Sequence, residues 1–208
     1  MPRLTAKIWD QTVMHGLINR AIQRFVVDSY GTDTWVEATR VANLGFVEFE
    51  SMLTYDDELT PEVLNAVSFV LERGRDEVME DIGTYLVSHP NVEALRRLLR
   101  FGGVDFVEFL HSLDDLPDRA RLAVSDLKLP RIELQDQAPG QFSLICESQL
   151  DGYGHVMMGI LRAMADDYGV LAVLEHEGSG DGRETISISL IETEFAKGRS
   201  FELGARAL

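Results

Sequence analysis

The residues best suited to carry chemistry in this chain are five histidines and one cysteine, Cys146. Imidazole and thiolate groups bind transition metals, and metal sites repeat them at short spacings such as His-x-x-x-His. The histidines are instead scattered along the chain, at His15, His89, His111, His155 and His176. Their spacing does not predict a metal site, and a lone cysteine excludes a disulfide within the chain.

General acid–base and nucleophilic chemistry also lack the residue patterns that they need. The acidic pairs Asp56-Asp57, Asp114-Asp115 and Asp166-Asp167 are adjacent in sequence. Adjacent side chains on a helix do not face one another, so these pairs are typical of solvated surfaces. The sequence has neither a Gly-x-Ser-x-Gly elbow nor a Gly-x-x-x-x-Gly-Lys-Ser/Thr phosphate loop. We therefore predict that the chain is not an enzyme.

The first half of the chain predicts a series of amphipathic helices. Apolar residues recur at spacings of three and four, and glycine or proline marks the segment ends. Thr60 before Pro61 predicts a capped helix start, because threonine accepts a backbone N–H and proline at the first helical position has none to lose. The predicted helices cover 17–30, 35–41, 61–73, 76–87, 92–100 and 104–113.

From Pro130 onward the pattern changes to strands, in which apolar and polar residues alternate. The predicted strands are 131–134, 141–148, 170–177 and 185–192. Turns are predicted at 138–140 and 178–182, and a helical period over 154–168 separates the two strand pairs. The predicted fold class is therefore α+β: a helical N-terminal lobe, then an antiparallel sheet with one packed helix.

The net charge of −16, from 35 acidic and 19 basic residues, restricts the possible partners. It disfavours nucleic acid and anionic membrane surfaces, and it is compatible with a basic partner protein. No apolar run is long enough to span a bilayer, and the N-terminus lacks a secretory signal. We expect a single cytoplasmic domain.

Three stretches carry a resemblance to a known family. They are Gly83-x-Tyr85, the segment 113–132 with Leu-Asp-x-Leu and then Leu-Pro-x-aliphatic, and the helix start 152–161. Together they resemble the H-NOX family, the heme nitric oxide/oxygen binding domains. The resemblance implies an extension at 1–13, an H-NOX-like domain at 14–193 with a helical lobe to about 116 and a sheet lobe from about 117, and a tail at 194–208.

In H-NOX proteins heme lies between the two lobes, and this chain departs from the residues that hold it. The resemblance places Pro117 where the family has the histidine that ligates iron, and proline has no donor atom. The family's Tyr-x-Ser-x-Arg motif, which holds the heme propionates, falls on Cys146, Ser148 and Leu150, so only the serine is kept. Pro130 matches the family proline that packs on the porphyrin face. We expect heme, the cofactor that the family implies, to be absent or weakly bound.

The preferred interpretation is a sensory or regulatory domain that has lost ordinary heme ligation. Its pocket would take an apolar small molecule or a tetrapyrrole, and it would be lined by Ile82, Leu86, Phe109, Leu113 and Leu116. The sequence contains no kinase or cyclase module, so the output is expected through another chain. The resemblance implies a histidine kinase or a diguanylate cyclase as that partner.

Two alternatives remain. The first is a heme-binding sensor of nitric oxide, carbon monoxide or oxygen that uses a different ligand, for which His111 is the candidate. His111 lies six residues before Pro117, which on a helix of ~100° per residue faces nearly the opposite side. It could still reach a pocket from another wall. The second alternative is a structural or interaction protein with a collapsed pocket.

Overall fold

The computed structural model describes residues 13–195 and residue 198. The helices are α1 (Gly16–Tyr30), α2 (Thr32–Val41), α3 (Leu59–Leu71), α4 (Arg75–Ser88), α5 (Glu93–Arg100), α6 (Phe106–His111), α7 (Leu116–Ala123) and α8 (Tyr153–Tyr168). The strands are β1 (Val13–His15), β2 (Thr54–Asp56), β3 (Arg131–Ala138), β4 (Gln141–Glu147), β5 (Leu171–Gly180) and β6 (Arg183–Glu192). Helices thus precede an antiparallel sheet with one inserted helix, which confirms the predicted α+β class. The predicted N-terminal extension and C-terminal tail fall almost entirely outside the described residues.

The chain is divided into two compact units, Met1–Val70 and Leu71–Leu208. The predicted division near residue 116 differs from this one. Helices α4 to α7 belong with the sheet rather than with the first three helices, because α4 packs along the length of α8. Helical sequence alone does not indicate which neighbour a helix will join.

The first unit contains α1, α2 and α3 together with a small antiparallel sheet of β1 and β2. Trp35 and Phe49 are buried in its core. Neither strand is predicted from the sequence, because three residues are too few to show an alternating pattern. His15, the last residue of β1, is buried and its Nδ1 accepts a hydrogen bond from the N–H of Leu17 at the start of α1.

The predicted capping role of Thr60 is wrong. Helix α3 begins at Leu59, so Thr60 lies inside the helix and is fully buried. Its hydroxyl donates to Oδ1 of Asn19 at 2.8 Å and thereby joins α3 to α1. A buried hydroxyl needs such a partner, and here a tertiary contact supplies it in place of a helix terminus.

The second unit is built on a four-stranded antiparallel sheet in the order β3-β4-β6-β5. Its inner face carries Cys146, Leu144, Ile186 and Ile188, all buried. Helix α8 packs on the sheet and α4 packs on α8. No described helix has both the length and the apolar character that a bilayer span requires.

Helices α4 and α8 approach unusually closely through glycine. A Cβ atom on Gly83 would overlap the carbonyl oxygen of Val156, and one on Gly159 would overlap that of Glu80. The glycine of the Gly83-x-Tyr85 stretch is therefore explained by packing of α4 against α8.

The turn between β5 and β6 is shorter than predicted. The strands continue to Gly180 and from Arg183, so the turn consists of Asp181 and Gly182 rather than the whole of 178–182. Both turn residues have positive φ, 54° and 72°. Two such residues match the twist of the flanking strands, which allows the hairpin to extend to its tip.

Candidate functional site

Pro117 lies in the first turn of α7, where its missing N–H costs no helical hydrogen bond. Its side chain is buried, as are those of Leu116 and Ala120 on the same helix. The nearest basic residue, Arg119, donates to the carbonyl oxygen of Ser112 at 3.0 Å. The first turn of α7 therefore presents ring carbons at the residue where the sequence resemblance leads one to expect an imidazole.

The structure brings three of the other predicted positions to one end of the β3–β4 hairpin. Ile132 pairs with Cys146, and Arg131 pairs with Glu147, so Pro130 and Ser148 leave the strands side by side. Leu150 follows in the turn that leads to α8. Helix α7 contacts β3 along this hairpin.

Cys146 faces the core and is fully buried. Burial, and to a smaller extent the neighbouring carboxylate of Glu184, raise the pKa of its thiol to about 12. A thiol with so high a pKa stays protonated near neutral pH, so it is neither an active nucleophile nor a thiolate ligand. Cys146 acts as a small core side chain at the family's tyrosine position.

Ser148, the one residue kept from the Tyr-x-Ser-x-Arg motif, is engaged in the turn itself. Its hydroxyl accepts a hydrogen bond from the N–H of Leu150 at 3.0 Å, and its own N–H donates to the carbonyl oxygen of Gly182 at 2.9 Å. These bonds hold the β4–α8 connection against the β5–β6 turn. The retained serine therefore has a local structural role in this chain.

The residue that dominates this end of the sheet is Glu184, which pairs with Cys146 across β4 and β6. It is buried, and its carboxylate accepts the N–H of Gly152 at 2.9 Å and that of Gly154 at 3.1 Å. Gly152 offers no side-chain cap to α8. Glu184 therefore caps α8 from a distant strand, with its negative charge at the positive end of the helix dipole.

Two stacked histidines complete the cluster around Glu184. Nε2 of His176 lies 2.9 Å from Oε2 of Glu184. The ring of His155 stacks on that of His176, with centroids 4.4 Å apart and planes 14° from parallel. Nε2 of His155 in turn lies 3.6 Å from Oδ2 of Asp76, at the start of α4. The cluster thus joins α4, α8 and the β5–β6 hairpin.

A cleft of about 330 Å³ opens beside these histidines and is also lined by Arg75, Asp151 and Ser179. Every lining residue other than glycine has a polar or charged side chain, whereas pockets for drug-sized ligands are lined mainly by apolar side chains. Among the described residues, no group of three or more His, Cys, Asp or Glu side chains is arranged to hold a metal ion.

His111 lies elsewhere, at the other end of the same hairpin. It ends α6 with its side chain about half exposed, and its Nε2 lies 3.6 Å from Oδ1 of Asp136. Its ring meets that of Phe142 edge to face. Phe142 precedes Cys146 by four residues on β4, which corresponds to about 13 Å along a strand. The structure does not bring His111 to the Cys146 and Ser148 end.

Sequence reasoning missed Glu184, although a signal was present. Glu184 precedes Ile186 and Ile188 at a spacing of two on β6. Side chains at that spacing share one face of a strand, so the alternation predicts a charged side chain on the core face. Asp76, His155 and His176 gave no such signal, because their proximity depends on how α4, α8 and β5 pack together.

The residues present do not fit a heme bound in the family's manner. Pro117 offers iron no donor atom, and Leu150 offers a propionate no charge. Glu184 adds a buried carboxylate close to this turn, because it accepts the N–H of Gly152, which follows Leu150 by two residues in sequence. That negative charge would repel the propionates that the family neutralises with arginine.

Comparison with known proteins places these residues in a family. A model of the Haem-NO-binding family matches residues 15–176. The chain is 22% identical over 155 residues to soluble guanylate cyclase 89Da of Drosophila melanogaster. It is 26% identical over 154 residues to soluble guanylate cyclase gcy-31 of Caenorhabditis elegans. Each alignment covers 74% of this chain but 23% and 22% of the relative, so the chain spans about a quarter of their length.

A solved structure agrees at the level of the fold. An H-NOX protein from S. oneidensis in the Fe(II)NO ligation state superposes with a TM-score of 0.68 at 20% identity, covering 85% of this chain and 99% of that one. The family match extends over most of the chain and includes α4, α7, the β3–β4 hairpin and α8. The predicted resemblance is confirmed, and this chain belongs to the Haem-NO-binding, or H-NOX, family.

Proposed function

We propose that this chain is a regulatory H-NOX domain that has lost heme ligation and acts through a partner protein. The observation that carries the proposal is Pro117: the first turn of α7 buries a ring without a donor atom, at the residue that the resemblance aligns with the family's iron ligand. The buried carboxylate of Glu184, near the family's propionate-binding positions, supports the same conclusion.

The partner is proposed to be a signalling enzyme. The curated relatives are soluble guanylate cyclases, and this chain spans about a quarter of their length. A nucleotide cyclase or a histidine kinase, in the same or a separate polypeptide, would supply the catalytic output. The H-NOX domain itself would supply regulation.

The absorption spectrum of the purified protein, before and after addition of hemin and a reductant, tests the loss of heme ligation. We expect no sharp Soret band and no stoichiometric heme in a pyridine hemochrome assay, since neither Pro117 nor Leu150 can hold the cofactor. One heme per chain with a sharp Soret band would overturn the proposal. The variant His111→Ala would then test the alternative ligand, which an unchanged spectrum would exclude.

A gain-of-function variant sharpens the test. Pro117→His combined with Leu150→Arg restores an imidazole and a guanidinium at the two family positions, and we expect it to bind hemin with a Soret band that the wild type lacks. Pro139→His combined with Leu150→Arg is the matched control, because Pro139 is exposed at the β3–β4 turn. Equal hemin binding by the two variants would contradict the assignment of Pro117 to the ligand position.

A further inference from the structure

The connection from α2 to α3, which contains β2, forms a segment that we name the acidic loop, residues 42–58. It is tightly fixed to the first unit. The indole N–H of Trp35 donates to the carbonyl oxygen of Val47 at 2.7 Å. The N–H of Phe49 donates to Oε1 of Gln23 at 3.0 Å, and the N–H of Gly16 donates to the carbonyl oxygen of Leu53 at 2.7 Å.

Aromatic packing inside the loop adds to these bonds. The ring of Phe49 is buried and lies 5.1 Å from that of Phe46 and 5.0 Å from that of Tyr55, edge to face in both cases. The Tyr55 hydroxyl accepts the N–H of Glu50 at 2.9 Å. The loop backbone is therefore organised before any partner binds, which lowers the entropic cost of binding.

While Phe49 fills the core, other apolar side chains of the same loop point to solvent. Val47, Met52 and Leu53 are 52%, 73% and 54% exposed. Scattered exposed apolar residues are ordinary, but three on one ordered loop offer a partner several apolar side chains to cover. Methionine in particular adapts to varied partner surfaces.

The charge on the loop selects the partner. From Val41 to Glu72, both included, the chain has seven acidic residues and no lysine or arginine. Glu48, Glu50 and Glu58 are exposed on the same loop. Among them, Glu48 has a basic neighbour, Arg20, whose Nη1 lies 3.7 Å from Oε1 of Glu48. Anionic membranes and a second acidic copy of this chain would both be repelled, whereas a basic protein segment would be attracted.

We propose that the acidic loop is a docking surface for a basic amphipathic helix of a partner protein. Apolar residues of that helix would cover Val47, Met52 and Leu53, and its lysines or arginines would pair with the surrounding glutamates. The inference specifies the partner contact of the proposed regulatory function. It does not depend on heme, so the absorption spectra test the loss of heme ligation and the peptide-binding data test the docking surface separately.

The test uses the full chain and a fluorescein-labelled synthetic peptide of leucine and lysine, about five helical turns long, with leucine on one face. Fluorescence anisotropy should show binding that weakens with added salt, and a peptide with glutamate in place of lysine should not bind. Failure of the lysine peptide to bind would overturn the proposal.

Loop variants locate the contact. Met52→Ser with Leu53→Ser should weaken binding by about tenfold, while Phe69→Ser should leave it unchanged, because Phe69 is also 73% exposed in the first unit but lies on α3 outside the loop. If both variants weakened peptide binding equally, or if neither weakened it, the peptide would be held by non-specific attraction to a negative protein. Either result would overturn the proposal. Thermal melts of each variant verify that these exposed substitutions leave the fold intact.

Charge variants give a second readout. Glu48→Gln with Glu50→Gln and Glu58→Gln should weaken binding and reduce its salt dependence. Glu175→Gln with Glu177→Gln, on exposed positions of β5, should do neither. Sedimentation of the free chain addresses a second copy as the occupant: a dimer that Met52→Ser dissociates would assign the loop to self-association and overturn the proposal.

Discussion

Glu184 shows how one buried carboxylate can organise a site. A charge removed from water is stable only with partners, and this one has the N–H groups of Gly152 and Gly154 and the imidazole of His176. Gly154 has no room for a side chain, since a Cβ there would lie 2.7 Å from Oε2 of Glu184. Glycine at the start of α8 thus admits the carboxylate that caps it.

Substitution of Glu184 should therefore cost considerable stability. Glu184→Ala leaves two helix N–H groups and His176 without their acceptor, and we expect the free energy of unfolding to fall by about 3 kcal/mol. Urea denaturation followed by circular dichroism measures it. Glu175→Ala, at an exposed position of β5, should change it by less than about 0.5 kcal/mol. Similar losses in both variants would contradict a capping role.

Burial of Cys146 makes the folded chain less stable at alkaline pH. Its pKa in the folded chain, about 12, is raised by burial and then by Glu184, so the unfolded chain releases the proton more readily. The stabilisation is complete below the ordinary thiol range and is lost as pH rises toward 12. We expect unfolding free energy to fall above about pH 9, and to fall less steeply in Cys146→Ala.

Thiol labelling gives an independent check of the same residue. A disulfide reagent such as DTNB at mildly alkaline pH should leave the native chain unmodified and release one thiol per chain after denaturation, since Cys146 is the single cysteine and is buried. Rapid modification of the native chain would contradict both the burial and the raised pKa.

At the scale of elements, the contact between α4 and α8 supports the histidine cluster. Close backbone approach at Gly83 and Gly159 sets the distance between the helices. That distance places Asp76, near the start of α4, within 3.6 Å of His155 on α8. The same two helices carry two of the stretches that resemble the family.

Alanine at either glycine should separate the helices. Gly83→Ala or Gly159→Ala puts a methyl group against backbone, which cannot rotate away, and we expect a loss of about 3 kcal/mol in unfolding free energy. Gly180→Ala is the matched control, because nothing lies within 4 Å of a Cβ at that position. Denaturation curves that do not distinguish the three variants would show that α4 and α8 tolerate a wider spacing.

At the scale of the whole molecule, the negative charge is divided between the interior and the surface. Part of it is internal: Asp167 is buried and bonded to Arg96 at 2.5 Å, and Glu184 is buried in its cluster. Much of the remainder is on the surface, including the exposed glutamates of the acidic loop. The net charge of −16 is compatible with a basic partner, and the structure shows one loop on which exposed glutamates and exposed apolar residues both occur.

Local patterns in the sequence were enough for most of the architecture. Period and turn residues predicted α1, α8, the β3–β4 hairpin and the α+β class, because backbone hydrogen bonds and alternation act over a few residues. The absence of a donor atom at Pro117 is also a property of the residue alone. The family resemblance rests on several such segments, so it could be recognised without the tertiary structure.

The tertiary structure decided the features that depend on distant segments. The β1–β2 pair, the bond of Thr60 to Asn19, and the cluster of Glu184 with His155 and His176 join residues that lie between 8 and 43 positions apart. Strand register and helix crossing bring these residues together, and neither leaves a periodic trace in the sequence. The exposure of Val47, Met52 and Leu53 on the acidic loop has the same origin, since it depends on how the loop packs on the rest of its unit.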